Sequence, residues 1–212
     1  MVGPVKVDVT PANAAKQVNP ATSVSLTVGN GRIESVTLTS TAGEAVHGTF
    51  AGDGSSWTAT DPLKFNTEYS HTYVVTDGAG RETSTTNSFS TVSSTHEADA
   101  AIYPLDGMKV GVGQPLQVIF SEPVVNRDAV EKAIKITSSA GQTGAFHWFS
   151  DTMVRYRPEA FCAANSTVTM DMQLFGVDLG NGQIANVYKK ATANFGDTRW
   201  AIADATATTF PT

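Results

Sequence analysis

A single cysteine, Cys162, stands in the 212 residues. A disulfide framework or a cysteine-rich zinc module needs several thiols, so both are excluded, and the redox compartment stays open. The four histidines, His47, His71, His96 and His147, show no ligand spacing such as His-x-x-x-His. No metal site and no cofactor is expected. Charged residues make up only 16%, and 14 Lys and Arg against 20 Asp and Glu leave a net charge of −6. Without a basic field to gather phosphates, nucleic acid is not an expected partner. No stretch approaches the roughly 18 uninterrupted apolar residues of a membrane span. The start, Met1-Val2-Gly3-Pro4-Val5-Lys6, also lacks the apolar run of a signal peptide. If the natural protein is exported, its targeting segment is missing from this sequence.

What is abundant is Gly, Thr, Ser, Ala and Val, a β-rich globular composition. The two halves repeat one pattern. Ser40-Thr41-Ala42-Gly43 lies over Ser138-Ser139-Ala140-Gly141, Gly48-Thr49-Phe50 over Gly144-Ala145-Phe146, and Pro62…Phe65 over Pro158…Phe161. With a few inserted residues, Val75…Gly80 matches Val177…Gly182, and Asn87-Ser88-Phe89 matches Ala193-Asn194-Phe195. Within each copy the apolar period is two: Val24, Leu26 and Val28 alternate with Ser25 and Thr27, and Leu116, Val118 and Phe120 bracket Gln117 and Ile119. Such alternation marks strands buried on one face. Turn signals separate the strands, among them Gly29-Asn30-Gly31, Ala42-Gly43, Gly52-Asp53-Gly54 and Asp77-Gly78.

These features predict an all-β chain of two tandem immunoglobulin-like β-sandwich domains, 1–94 and 95–197, with 198–212 as a linker or truncated strand. Leu63-Lys64-Phe65-Asn66-Thr67-Glu68-Tyr69 predicts a corner in which the Tyr69 hydroxyl bonds back to preceding backbone. The second copy has Val168 there and must close its corner another way. One short helix is expected in the second domain, capped by Asn126, with Asp128 in its first turn and Val130, Ala133 and Ile134 on one face. Ser93…Ala100 is small and polar, and reads as the boundary. Eight residues or so are too short for a long tether, so a rod with limited bending is expected.

No reactive constellation stands out. Cys162 has no basic neighbour in sequence and is aligned with Asn66, which favours a small buried thiol; pairing it with His47 would require the two copies to fold onto each other. Asp77-Gly78-Ala79-Gly80 and Asp178-Leu179-Gly180-Asn181-Gly182 faintly suggest calcium loops, but lack the succession of oxygen ligands and read as hairpin turns. Gly111-Val112-Gly113 precedes Gln114-Pro115 and no helix, so it cradles no phosphate. Trp57, Trp148, Tyr156 and Tyr103 could stack on sugars, although both tryptophans sit at strand spacing expected of core fillers.

Tyr103-Pro104-Leu105-Asp106-Gly107-Met108-Lys109-Val110-Gly111-Val112-Gly113-Gln114-Pro115 resembles the immunoglobulin-like domains in front of the catalytic domain of actinobacterial, including mycobacterial, L,D-transpeptidases. The resemblance continues through Val124…Ala133, Gly144…Asp151 and Leu174…Gly180, and is looser in the first copy, at Asp53…Ala59 and Phe89…Val92. It implies an enzyme that forms 3→3 peptidoglycan cross-links through the cysteine of a Ser-His-Gly-Cys motif. That motif is absent, and Cys162 falls where the family has an aromatic residue, so no catalytic role is expected in this chain. The resemblance further implies a monomeric, non-catalytic stalk in the cell envelope, of a secreted or membrane-anchored parent. Its partners would be the parent's missing catalytic domain, contacted through Trp200, Ile202 and Asp204, and peptidoglycan. The alternative is a free-standing module that binds glycan or protein.

Overall fold

The computed structural model describes residues 3–197. They form two compact units: the chain up to Ala98 together with Phe175–Asn186, and Asp99–Leu174 together with the chain from Val187 onward. The first unit begins with β1 (Lys6–Thr10), β2 (Ala15–Val18), β3 (Ser25–Gly29), β4 (Gly31–Ser40) and β5 (Ala45–Val46). It continues with β6 (Gly48–Phe50), β7 (Ser56–Ala59), β8 (Glu68–Asp77) and β9 (Glu82–Thr91). One sheet runs β1-β3-β7-β6 and the other β2-β9-β8-β4-β5. Alternation decides which residues meet between them: Leu26 and Val28 from β3, Trp57 from β7, and Tyr69, Tyr73 and Val75 from β8 are buried in one core.

After a 3-10 turn at Ser94–His96 comes β10 (Glu97–Ala98). The rest of the chain supplies β11 (Ala100–Tyr103), β12 (Lys109–Val110), β13 (Leu116–Phe120), α1 (Arg127–Lys132), β14 (Ile134–Ser138) and β15 (Gly144–Trp148). Then follow β16 (Met153–Pro158), β17 (Thr167–Gln173), β18 (Asp178–Gly180), β19 (Gln183–Ala185) and β20 (Tyr188–Phe195). The second unit's sheets run β11-β13-β16-β15 and β12-β20-β17-β14, which is the first unit's order with β5 missing. The chain is therefore a tandem pair of immunoglobulin-like β-sandwiches. In each copy the first strand is split between sheets: β1 and β11 pair antiparallel with β3 and β13, whereas β2 and β12 pair parallel with β9 and β20.

The tyrosine corner is present. The Lys64 backbone N–H donates to the Tyr69 hydroxyl at 2.8 Å, and the Tyr69 ring stacks on Phe89 with centroids 5.3 Å apart. One turn device is shared by both copies. Asn66 (φ 50°) donates its N–H to the Val92 carbonyl, and Asn165 (φ 55°) donates to that of Gly196. Asparagine tolerates this left-handed conformation better than most residues. Matching Asn66 with Asn165 places Leu63, and not Asn66, opposite Cys162; both are buried anchors of the corner. It also slides the last strands by two residues. Tyr69 pairs with Phe89 and Val168 with Ala193, so Phe89 corresponds to Ala193 and not to Phe195. A slide of two keeps the same face inward, so alternation could not reveal it.

Three features add detail to the expectations. Helix α1 ends at Lys132 with Ala133 as its C-cap, and Ile134 already opens β14. The two units divide after Ala98, inside the boundary segment, whose end is paired chain: β10 runs parallel to β19, with Glu97 opposite Ile184 and Ala98 opposite Ala185. Val177…Gly182 does lie in the connection that corresponds to the β8–β9 turn, but that connection is enlarged. The segment lies in a β18–β19 hairpin inserted between β17 and β20, and residues 175–186 belong with the first unit.

Replacing Tyr69 by Phe keeps the ring on Phe89 and removes the acceptor of the Lys64 N–H, a loss of about 1–3 kcal/mol. Urea unfolding of the two proteins checks this expected outcome, with the first unit's transition moving to lower denaturant.

Candidate functional site

The one thiol is shielded. Cys162 is buried, and its N–H donates to the Val112 carbonyl at 3.0 Å. Burial pushes its pKa above the ordinary thiol value, against a weaker opposing pull from the Arg157 guanidinium. A nucleophilic cysteine needs the reverse, a depressed pKa and access. His47, weighed as its partner, belongs to the first unit, where its N–H donates to Asp61 and its carbonyl accepts from Thr60.

His71 lies deep in the first core at 1% exposure, between Trp57 (ring centroids 5.7 Å) and Tyr73 (5.5 Å), and neither ring nitrogen has a hydrogen-bond partner. Burial lowers its pKa. His96 Nδ1 sits 3.0 Å from the Ser93 hydroxyl, and His147 packs edge-on against Phe149 at 4.9 Å. The two aspartates of the weak calcium motifs close their own turns. Asp77 Oδ1 accepts N–H bonds from Ala79 and Arg81, and Asp178 Oδ1 accepts one from Gly180. Among the described residues no group of three or more His, Cys, Asp or Glu is placed to hold a metal ion.

Neither Trp57 nor Trp148 is a free stacking platform. Trp57 is 3% exposed, and a Cβ on Gly48 would strike its ring. Trp148 donates from Nε1 to Glu131 at 2.7 Å, carries Arg127 over its ring at 4.9 Å and stacks on Phe120. Helix α1 thus fastens to β15 through this side chain. Tyr156 is buried, and Tyr103 is exposed. Trp200, Ile202 and Asp204 lie outside the described residues.

One further surface gathers on β16. Arg155 and Arg157 alternate with buried Val154 and Tyr156 along β16, which turns both guanidinium groups to one face. Arg155 lies over the exposed Phe149 ring at 4.5 Å and donates from Nε to Gln117 at 2.8 Å; Arg157 lies 5.7 Å over Phe161. In an acidic chain this is a locally basic, aromatic strip. The x-Arg-x-Arg alternation carried the signal, obscured because an isolated strand pattern does not show which exposed side chains gather.

The bacterial Ig domain family profile matches residues 15–178. The chain belongs to the bacterial Ig domain family. This bacterial Ig chain is 35% identical over 181 residues to L,D-transpeptidase 2 of Mycobacterium tuberculosis, covering 85% of the chain and 44% of that relative. It is 31% identical over 176 residues to L,D-transpeptidase 5 of the same species, covering 81% and 39%. A crystal structure of Mycobacterium tuberculosis L,D-transpeptidase 1 aligns with TM-score 0.38 at 27% identity, over 52% of this chain and 44% of that one. The bacterial Ig chain is thus related to mycobacterial L,D-transpeptidases and spans less than half the length of these two curated relatives. Its sequence lacks Ser-His-Gly-Cys.

Two outcomes are expected. Because the folded pKa of His71 is depressed, protonation favours the unfolded chain; stability is full above the unfolded value of about 6.5 and declines as pH falls below it. In His71→Leu that part of the acid sensitivity disappears, which thermal melts from pH 7.5 to 4.5 measure. Native Cys162 is expected to form no adduct with a carbapenem and to react with a thiol reagent only on unfolding, as intact mass spectrometry reads directly.

Proposed function

We propose that the chain is the non-catalytic immunoglobulin-like part of a cell-envelope L,D-transpeptidase, a spacer that positions a catalytic domain located elsewhere in the parent protein. One observation carries the reading. The alignment to L,D-transpeptidase 2 takes up 85% of this chain but only 44% of the relative, while Cys162 and His71 are buried and Asp77 and Asp178 close their own turns. In this reading 1–94 and 95–197 are successive domains, monomeric in the parent, and 198–212 is the linker or the first strand of the catalytic domain, with Trp200, Ile202 and Asp204 as its contact residues. Each sandwich contributes about 35–40 Å of reach, from strands rising about 3.3 Å per residue plus loops. The parent is secreted or membrane-anchored; no helix among the described residues is long and apolar enough to cross a membrane.

The Arg155–Phe149 strip favours a second reading, a module that grips glycan or protein. Guanidinium groups suit carboxylates, and an exposed ring suits a sugar face.

Sedimentation with insoluble peptidoglycan, together with the reading frame beyond Thr212, separates the two. The spacer reading expects a downstream Ser-His-Gly-Cys segment and no saturable retention. Saturable retention lost in Arg155→Ala or Phe149→Ala, with a stop codon after Thr212, would replace it with the module.

A further inference from the structure

The hairpin at residues 175–186 buries Leu179, Ile184 and Ala185 and is held to the first unit by specific contacts at its two ends. Asn19 holds the pinning end. Its Nδ2 donates to the Gly176 carbonyl at 2.7 Å, while its Oδ1 accepts the Ala21 N–H at 2.9 Å. Gly176 adopts φ +76°, and a Cβ there would run into Ala21, so only glycine allows the approach. Phe175 meets Phe65 edge-on at 5.8 Å. At the other end β19 lies along β10; the Asn186 N–H donates to the Ala98 carbonyl at 2.9 Å and its side chain donates to Glu97 at 2.7 Å.

Between these ends the seat is imperfect. A cleft of about 320 Å³ is lined by Gln17, Asn19 and His96 on one side and by Asp178, Gly182 and Ile184 on the other. The buried Gln183 Oε1 accepts no hydrogen bond. Gln17, at the cleft, holds φ 55°, which a non-glycine residue rarely adopts. Orphaned acceptors, unfilled volume and local strain each lower the free energy needed to open a segment.

We infer that residues 175–186 form a latch that completes the first unit and opens together with residues 96–98 while both sandwiches remain folded. A two-stranded hairpin is at best marginal in water, so once undocked its own ladder melts. Three amides then share one fate. Gly176 N–H bonds the Ala185 carbonyl and Ala185 N–H bonds the Val177 carbonyl inside the hairpin, whereas Asn186 N–H bonds Ala98 across the seat. The latch is a region of low local stability of the kind that native-state exchange resolves as a cooperative unit.

Native-state hydrogen exchange on the full chain, read residue by residue, tests this. The amides of Gly176, Ala185 and Asn186 are expected to exchange at one common opening free energy, at least about tenfold faster than those of β8 and β17. Asn19→Ala, a change at the rim of the seat, speeds those three amides about fivefold or more and leaves β8 and β17 unchanged; Gly176→Ala does the same more strongly. Exchange of the three at the rate of the strand cores overturns the latch. So does a variant that accelerates every amide equally, or one that leaves the three unaltered.

Discussion

In both sandwiches the strand pair that carries the core depends on a left-handed asparagine. Asn66 and Asn165 each turn their N–H onto a carbonyl at the end of the last strand, Val92 or Gly196, just before the chain enters β8 or β17. That bond sets the phase of the strand that follows. A residue early or late, every side chain of β8 or β17 would change faces, because the period is two. With the phase set, Tyr69, Tyr73 and Val75 face inward in one copy, and Val168, Met170 and Met172 in the other.

The two cores fill the same frame differently. The first is aromatic, with Trp57, Tyr69, Tyr73 and Phe89 around the unpaired ring of His71. Its corner is closed by the Tyr69 hydroxyl. The second has no such hydroxyl; there Ser166 donates to the Ala163 carbonyl at 2.6 Å, Cys162 takes the place of Leu63, and β17 buries two methionines. Methionine adapts to irregular space, and Met172 stands where the first copy has Tyr73.

The side chains that suggest chemistry are mostly committed to structure. The thiol is a corner anchor, His71 is core, Asp77 and Asp178 order their own turns, and Trp148 ties helix α1 to β15. What remains open on the second sandwich is a basic and aromatic face around Arg155 and Phe149.

Alternation, glycine-marked turns and internal similarity determined the all-β class, the duplication, the helix after Asn126 and the Tyr69 corner, because each is written within a few consecutive residues. The burial of Cys162 was expected in the same way, from a segment with no His or basic residue beside it, and the structure buries the thiol. Only the tertiary structure decided that Leu63 matches Cys162, that Phe89 matches Ala193, and that 175–186 joins the first unit. Those are pairings between residues far apart in the chain, and a period of two reads the same after a slide of two. The Arg155–Phe149 strip waited on folding for a related reason: strand spacing says which side chains are exposed, while sheet order alone says which of them become neighbours.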